Sequence, residues 1–182
     1  MAILLAARRG EVPMVLSGRP RKHDPISDEI RSAIQSANDD DVRSLMASCA
    51  VDVPDGEAST PLIWAAANDR QELLRWLIAQ GANVNHQNRY GYCGLHFAGQ
   101  NKLAEIASIL LGAGADTELR DAYGNTPLWT AGFSARGDFA VFLALLKQGA
   151  SLDNRNHAGR TIRDLAQMLF PADIDRLISE AS

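Results

Sequence analysis

Histidine and cysteine are the residues of this chain best suited to nucleophilic or metal chemistry, and they are few. The 182 residues include His23, His86, His96, His157, Cys49 and Cys93. The four histidines have no spacing suited to a metal site. The two cysteines are better explained as small core residues than as nucleophiles. No phosphate-binding G-x-x-x-x-G-K-S/T loop, no strand-to-helix G-x-G-x-x-G turn and no zinc-binding H-E-x-x-H helix occurs. We therefore expect no catalytic residue, no metal site, no cofactor and no enzymatic activity.

Composition and charge narrow the class of partner. The chain carries 18 Lys and Arg against 22 Asp and Glu, whereas nucleic-acid binders usually have a basic surface. No apolar run approaches the roughly 18–20 residues that span a bilayer. The apolar stretch in residues 1–7 is too short for a secretory signal, and two distant cysteines form no disulfide framework. We therefore expect a cytoplasmic chain with neither nucleic acid nor membrane as its partner.

An internal repeat is the strongest pattern in the sequence. The motif Thr-Pro-Leu, or its variant Cys-Gly-Leu, recurs at a spacing of 33 residues, beginning at Thr60, Cys93 and Thr126. A Gly-Ala pair recurs at spacings of 33 and 35 residues, beginning at Gly81, Gly114 and Gly149. The two extra residues of the longer spacing fall between Phe133 and Gly137. A period of this length is typical of proteins that stack supersecondary units.

Each period predicts two short helices. Leu73, Leu74 and Leu77 form the apolar stripe of an amphipathic helix in the second half of one period. Thr60 followed by Pro61 is typical of a helix start, because threonine caps the first turn and proline suits its first position. The glycine that follows each second helix suits a left-handed C-terminal cap. The pattern therefore favours an all-α protein.

This combination of motifs resembles the ankyrin repeat family. The resemblance is carried by the segment Asp121-Ala-Tyr-Gly-Asn-Thr-Pro-Leu128, by the helix pair that follows it and by Gly149-Ala150. It implies an all-α solenoid of stacked helix-turn-helix repeats joined by short hairpin loops. It also implies that His96 ties its turn to a neighbouring repeat by hydrogen bonds. The resemblance divides the solenoid, residues 26–182, into an N-terminal cap at 26–54, repeats at 55–87, 88–120 and 121–155, and a C-terminal cap at 156–182.

Two charged segments have more than one interpretation. Residues 1–25 form a basic tail in which four prolines and glycines, at Pro13, Gly18, Pro20 and Pro25, interrupt any long helix. Disorder is the default for such a tail, but packing along the acidic first repeat and contact with a partner both stay open. The acidic run Asp39–Asp41 is suited either to the N-terminus of a helix, where acids are favourable, or to a patch that binds a partner.

The resemblance also implies a binding surface, because ankyrin repeat proteins bind partners at hairpin tips and on the first helices. The matching positions here are Arg89, Tyr90, Tyr92, Gln100, Asn101, Arg120, Tyr123, Asn125, Trp129, Phe133, Arg136, Arg155, His157 and Arg160. Tyrosine, tryptophan and arginine carry much of the energy of protein interfaces. Trp129 and Phe133 also suit packing between repeats, and the insertion around Arg136 also suits a tolerated surface loop.

By the same resemblance, we expect a non-catalytic module that binds one folded protein and is monomeric when unbound. Small stand-alone ankyrin proteins of bacteria include immunity proteins, which inhibit a toxin by blocking its active site. An immunity or inhibitor protein is the specific function that we predict, by analogy with that group. The alternative is a scaffold or regulatory adaptor for an endogenous protein.

Overall fold

Residues 24–181, the part of the chain that this computed structural model describes, form ten α-helices. Turns of two to five residues join the two helices of a unit, and longer loops join successive units. Within the predicted basic tail, residues 1–23 lie outside the described residues. The other two tail residues begin the first helix, since Asp24 is its N-cap and Pro25 its first residue. In chain order the helices are α1 (Pro25–Gln35), α2 (Asp39–Met46), α3 (Pro61–Ala67), α4 (Gln71–Ala79), α5 (Gly94–Asn101), α6 (Ala104–Gly112), α7 (Pro127–Ser134), α8 (Ala140–Lys147), α9 (Ile162–Leu169) and α10 (Ile174–Ala181).

The helices alternate between two rows, which confirms the predicted all-α solenoid. The first helices of successive units, α1, α3, α5, α7 and α9, stack on one another. The second helices α4, α6, α8 and α10 stack in the same way in the other row. Each unit therefore contacts mainly its neighbours along the chain, which is the defining property of a solenoid.

Small residues let the first helices approach closely. A Cβ atom on Gly99 would lie 3.0 Å from the backbone nitrogen of Ala131 in the next unit. A Cβ atom on Gly132 would lie 2.7 Å from Cδ1 of Ile162, one unit further on. Because larger side chains at these positions would push the units apart, the alanines and glycines of the first helices set the spacing of the stack.

The apolar stripes predicted from the sequence form one continuous core along the solenoid. Leu73, Leu74 and Leu77 are fully buried, as are Ile106, Ala107 and Leu110 at the corresponding positions of the next unit. Cys93 is also buried in this core, whereas Cys49 is partly exposed at its edge. The helical periodicity of the sequence thus predicted the core face correctly.

The turn between the two helices is longest in the fourth unit. Three residues separate α3 from α4, and five residues, 135–139, separate α7 from α8. The two-residue insertion therefore lies in this loop, where Ala135 is buried and Arg136 is exposed. Arg136 and Gly137 have φ values of +46° and +91°, so two consecutive left-handed residues reverse the chain.

The acidic run Asp39–Asp41 opens α2 and contacts the scaffold. Asn38 is the N-cap of this helix, and its Oδ1 accepts a hydrogen bond from the N–H of Asp41 at 3.3 Å. Asp39 Oδ1 lies 2.7 Å from Nη2 of Arg70 in the next unit, and Asp40 Oδ1 lies 3.1 Å from Nη1 of Arg43. These contacts favour the helix-terminus interpretation of the run, since acids at the first turn also interact favourably with the helix dipole.

Candidate functional site

Four turns of the same geometry form a row of hairpins along one edge of the solenoid. Each turn opens with an acid or amide whose Oδ1 accepts hydrogen bonds from backbone N–H groups two and four residues further on. Asn88 Oδ1, for example, accepts from the N–H groups of Tyr90 and Tyr92 at 3.0 Å each. The other three turns open in the same way with Asp55, Asp121 and Asn156. The side chains that follow are therefore carried on a fixed backbone.

Main-chain hydrogen bonds join each hairpin to the one before it. The N–H of the residue after the turn-opening position donates to a carbonyl oxygen of the preceding hairpin. The three bonds run from Arg89 to Glu57 (2.9 Å), from Ala122 to Tyr90 (2.8 Å) and from His157 to Tyr123 (2.9 Å). We define the docking face as the four hairpins with the residue directly before each (54–59, 87–92, 120–125 and 155–160), the C-terminal ends of α3, α5, α7 and α9, and the loop 135–139.

His96 links two hairpins from below the docking face. Its Nε2 lies 3.1 Å from the carbonyl oxygen of Asn125, and its Nδ1 lies 3.3 Å from the backbone nitrogen of Cys93. Because a carbonyl can only accept, Nε2 carries the proton and Nδ1 accepts, so the ring is neutral. Burial also lowers the pKa of His96, because it disfavours the charged form of the ring. The expected role of His96 as a tie between turns is confirmed.

We expect the free energy of unfolding to fall as the pH drops below 6.5, the ordinary pKa of His96. The pKa of His96 is lower in the folded state than in the unfolded chain, so the unfolded chain binds the proton first as the pH falls. The stability that neutral His96 contributes above pH 6.5 is therefore lost progressively until the pH reaches the pKa of the folded state. One proton accounts for a slope of at most about 1.4 kcal/mol per pH unit. Denaturant melts across this range should show a flatter slope for His96→Gln. His157→Gln, at an exposed position, serves as the control; identical slopes for wild type and His96→Gln would contradict the assignment.

The docking face has three tyrosines, of which one packs within the solenoid and two lie partly exposed on the hairpins. The Tyr92 ring packs against His96 and Phe97, with ring centroids 5.1 and 5.5 Å apart, and burial raises its pKa to about 12. Tyr90 and Tyr123 occupy equivalent positions on successive hairpins and are partly exposed. A hydrogen bond with the Glu57 carboxylate raises the pKa of Tyr90, whereas burial raises that of Tyr123. Both phenols therefore stay neutral at physiological pH.

Three predicted arginines of the docking face also bond within the scaffold. Arg89 Nε lies 3.1 Å from a carboxylate oxygen of Glu57 on the preceding hairpin. Arg120 Nη1 donates to the carbonyl oxygen of Arg155 at 2.7 Å, and Arg155 Nη1 donates to that of Gly159 at 2.7 Å. The last two guanidinium groups thus donate to neutral carbonyl oxygens, and Arg155 also interacts electrostatically with the carboxylates of Asp153 and Asp164.

Two predicted asparagines tie neighbouring repeats together. Asn101 Nδ2 donates to the carbonyl oxygen of Ala67 at 3.1 Å. Asn125 Nδ2 donates to Asp121 at 3.2 Å, and Asn125 Oδ1 accepts from Asn156 Nδ2 at 2.9 Å. These side chains therefore have a structural role, and their contact with a partner stays a prediction.

The other predicted residues of the docking face differ in exposure. Gln100, Arg136 and His157 are exposed, at the end of α5, in the long loop and on the last hairpin respectively. Trp129 and Phe133 are partly buried and pack against the core. Packing between repeats is therefore part of their role, and the exposed remainder of each ring stays available at the docking face.

Sequence reasoning did not find two exposed apolar residues on the docking face. Met168 and Leu169 end α9 and are 61% and 46% exposed. They follow Thr161 by seven and eight residues, as Gln100 and Asn101 follow Cys93. The repeat register was therefore the signal that could have found them, had it been continued into the C-terminal unit.

Residues 24–181 contain neither a cluster of possible metal ligands nor a helix that could span a membrane. No group of three or more His, Cys, Asp or Glu side chains in this range could hold a metal ion. The helices in this range are all too short or too polar to cross a bilayer.

Known proteins resemble the chain in the part that forms the solenoid. The family model of ankyrin repeats, in three copies, matches residues 30–121, about half of the chain. The E3 ubiquitin-protein ligase KEG of Arabidopsis thaliana is 31% identical over 60% of this chain, and the E3 ubiquitin-protein ligase Ufd4 of Drosophila melanogaster 34% over 62%. The B-cell lymphoma 3 protein homolog of Mus musculus is 37% identical over 45% of this chain.

The similar segment is a small part of each of these relatives. It spans 7%, 4% and 18% of their respective lengths. The similarity therefore concerns the repeats, and not the activities of the whole relatives. Repeats of this kind are protein–protein interaction modules. The row of hairpins and the stacked first helices described above are the structural features of such repeats. The chain therefore belongs to the ankyrin repeat family.

Proposed function

We propose that this chain is a non-catalytic inhibitor that binds one folded protein at the docking face and covers its active surface, as an immunity protein covers a toxin. The observation that supports this proposal is the rigid presentation of Tyr90 and Tyr123. Asn88 and Asp121 fix the two turns, and a main-chain hydrogen bond of 2.8 Å joins the hairpins. A partner would therefore meet two aromatic side chains that are already in place.

Rigid aromatic side chains are efficient in binding for a physical reason. A tyrosine buries a large apolar area while its hydroxyl keeps a hydrogen bond, and few of its rotatable bonds must be ordered. Association also costs several kcal/mol of translational and conformational freedom, and a pre-ordered backbone lowers that cost. A surface built in this way suits tight, one-to-one blocking of a protein, which is the mechanism we propose.

A scaffold or regulatory adaptor is the second candidate. It is favoured by the relatives, in which the similar segment is a small part of a much larger protein. The two candidates differ in what binding does. An inhibitor forms a 1:1 complex of one solenoid monomer with its partner and abolishes the partner's activity, whereas an adaptor leaves that activity intact and holds a second protein. An enzyme would instead turn over a substrate without any partner.

Replacing both Tyr90 and Tyr123 with alanine should weaken binding by about 10-fold or more without unfolding the chain. Both side chains are partly exposed, so their loss removes interface contacts and little of the core. The partner is first captured from the native host with the wild-type chain and identified. Its affinity for both chains is then measured by calorimetric titration, and circular dichroism checks the fold.

The matched control for this test is Lys147→Ala, which removes an exposed side chain from the second helix α8. It should leave the affinity unchanged. Equal affinities for the wild type and for the Tyr90→Ala, Tyr123→Ala variant would exclude the hairpin tips from the interface. A partner that keeps its full activity in the saturated complex would exclude inhibition and leave the adaptor.

A further inference from the structure

The surface on which a preceding repeat would stack is open at the start of the described solenoid. In the second unit, the ring centroids of Trp64 and Trp76 lie 5.7 and 5.9 Å from arginine Cζ atoms of α1 and α2, so both tryptophans face the preceding unit. Ser32 and Ser44 precede them by 32 residues, and α2 and α4 begin at the same separation. Both serines are exposed, and no unit within residues 24–181 lies in front of them.

A groove of about 450 Å³ crosses this open surface between α1 and α2. Its lining residues recur at helical spacing, so they lie on one face of each helix. They include Glu29, Ser32 and Ala33 of α1 and Asp41, Ser44 and Leu45 of α2. At the position of Asp41 the second unit has Leu73, which is fully buried in the core. The open surface therefore carries acids and serines in place of the apolar residues on which another repeat would stack.

The two acids of this groove have no cationic partner among the described residues. Arg31 and Arg43 are the cations of α1 and α2, and each pairs with an acid of its own helix, at 2.9 and 3.1 Å. Arg70 of the second unit pairs with the first acid of α2 at 2.7 Å. Glu29 is exposed, and Asp41 Oδ2 accepts from a neutral amide at 2.5 Å. The groove therefore carries two carboxylates whose charge is not paired within the solenoid.

Residues 8–22, which lie outside the described residues, have the complementary charge and a short connection to the groove. They hold five Lys and Arg, two at the start and three at the end, against one Glu. An apolar stretch at 12–16 lies between these two basic groups. The segment ends two residues before Asp24, the N-cap of α1, and Glu29 is about 8 Å from that cap along the helix axis. Because an extended chain spans roughly 3.4 Å per residue, the cations can reach both ends of the groove.

We propose that residues 8–22 bind in this groove of their own chain and close the open end of the solenoid. The two basic groups pair with Glu29 and Asp41, and the apolar stretch between them lies on Ala33 and Leu45. Charge-assisted hydrogen bonds and apolar contact then take the place of stacking by a preceding repeat. The groove shares no residue with the docking face, so this inference goes beyond the proposed function and does not depend on it.

Covalent connection makes such a contact effective, although exposed ion pairs are individually weak. A segment joined to its site by a short linker has an effective concentration on the order of mM. An affinity in that range is therefore enough to occupy the groove in most molecules. Because the ion pairs are exposed, rising salt should weaken the contact.

Trypsin tests the contact in the full chain, because a protease cuts a bound segment only while that segment has left its site. Arg8 and Arg9 are the informative sites, since they lie at least fifteen residues before the cap of α1. In about 50 mM NaCl, mass spectrometry should show cleavage at these sites about 5-fold or more slower than in a synthetic peptide of residues 1–27. In about 500 mM NaCl the two rates should agree within about 2-fold.

Neutralising the groove should expose the segment to the protease. The double variant Glu29→Gln, Asp41→Asn should be cut after Arg8 and Arg9 about 5-fold or more faster than the wild type at low salt. Cleavage after Arg31, which lies inside α1, should stay unchanged and so show that the helix is still folded. If cleavage after Arg31 also rises, the salt comparison decides, because it changes no residue.

The matched control is Asp175→Asn, Glu180→Gln, which neutralises two exposed acids of α10 in the last unit. It should alter cleavage after Arg8 and Arg9 by less than about 2-fold. The proposal is overturned if these sites are cut as fast in the full chain as in the peptide at low salt. It is equally overturned if the groove variant is protected as well as the wild type.

Protein concentration identifies the source of the bound segment. A contact within one chain gives the same protection at about 1 µM and about 100 µM, because the effective concentration is set by the linker. Protection that appears only at the higher concentration, together with a dimer in light scattering, would assign the groove to the segment of a second copy. That result would overturn the proposal.

Discussion

Replacing Leu110 with alanine is expected to lower the free energy of unfolding by about 2–5 kcal/mol. Leu110 lies in α6 and has 0% of its surface exposed. Its Cδ1 lies only 2.9 Å from the point where a Cβ on Gly94 would be, so it fills the space against the start of α5. The substitution removes buried apolar atoms, and the closely stacked helices cannot move enough to fill the cavity.

Denaturant melts measure this loss directly, because the midpoint shifts while the slope stays constant if the unfolded state is unchanged. Met168→Ala is the matched control, since it truncates a long apolar side chain that is 61% exposed. It should change the free energy of unfolding by less than about 0.5 kcal/mol. A loss below about 1 kcal/mol for Leu110→Ala would mean that the assigned core is wrong.

Gly91→Ala is expected to cost about 2–4 kcal/mol, because two separate effects act at this hairpin. Gly91 has a φ of +75°, a conformation that costs an alanine roughly 1–2 kcal/mol. Its added Cβ would also lie 2.8 Å from Cα of Asp121 and 2.9 Å from the carbonyl oxygen of Arg120. These neighbours are backbone atoms of the next hairpin, so they cannot rotate away and the hairpin row must shift.

Gly159→Ala carries only the first effect, the positive φ, so its comparison with Gly91→Ala isolates the second. Gly159 occupies the same position in the last hairpin with a φ of +73°, but an added Cβ would have no atom within 4 Å. Ala58 already occupies the position in the first hairpin with a φ of +58°, so the conformation itself is tolerated. Thermal or denaturant melts should therefore show a clearly larger loss for Gly91→Ala than for Gly159→Ala. Equal losses would disprove the close approach of the hairpins.

Much of the fold could be predicted because ankyrin stability depends on local patterns repeated at a fixed spacing. The spacing of 33 residues between Thr60 and Cys93, and the stripe that contains Leu73 and Leu77, specify two helices and their buried faces without any knowledge of distant contacts. Both leucines are fully buried in the structure. The long loop before α8 could also be predicted from the sequence, because an insertion changes the repeat spacing directly.

The docking face was less predictable, because its residues bond with partners about one repeat away. Asn101 donates to Ala67 and Arg120 donates to Arg155, at sequence separations of 34 and 35 residues. From their residue types and positions, Asn101 and Arg120 were predicted to contact a partner protein. Only the stacked arrangement shows that their polar groups also hold the repeats together.

By itself the sequence determined the repeat family, the two helices of each unit and the core stripe, because each follows from periodicity within one unit. The positions expected to face a partner came from the resemblance to the family. The tertiary structure decided which side chains at those positions are exposed to solvent and which are packed or hydrogen-bonded within the solenoid. It buried much of Tyr92 against His96 and Phe97, left Tyr90 partly exposed and exposed Met168 on the last unit. The physical reason is that exposure depends on the neighbouring repeat, and the position of that neighbour is set by packing between helices far apart in the chain.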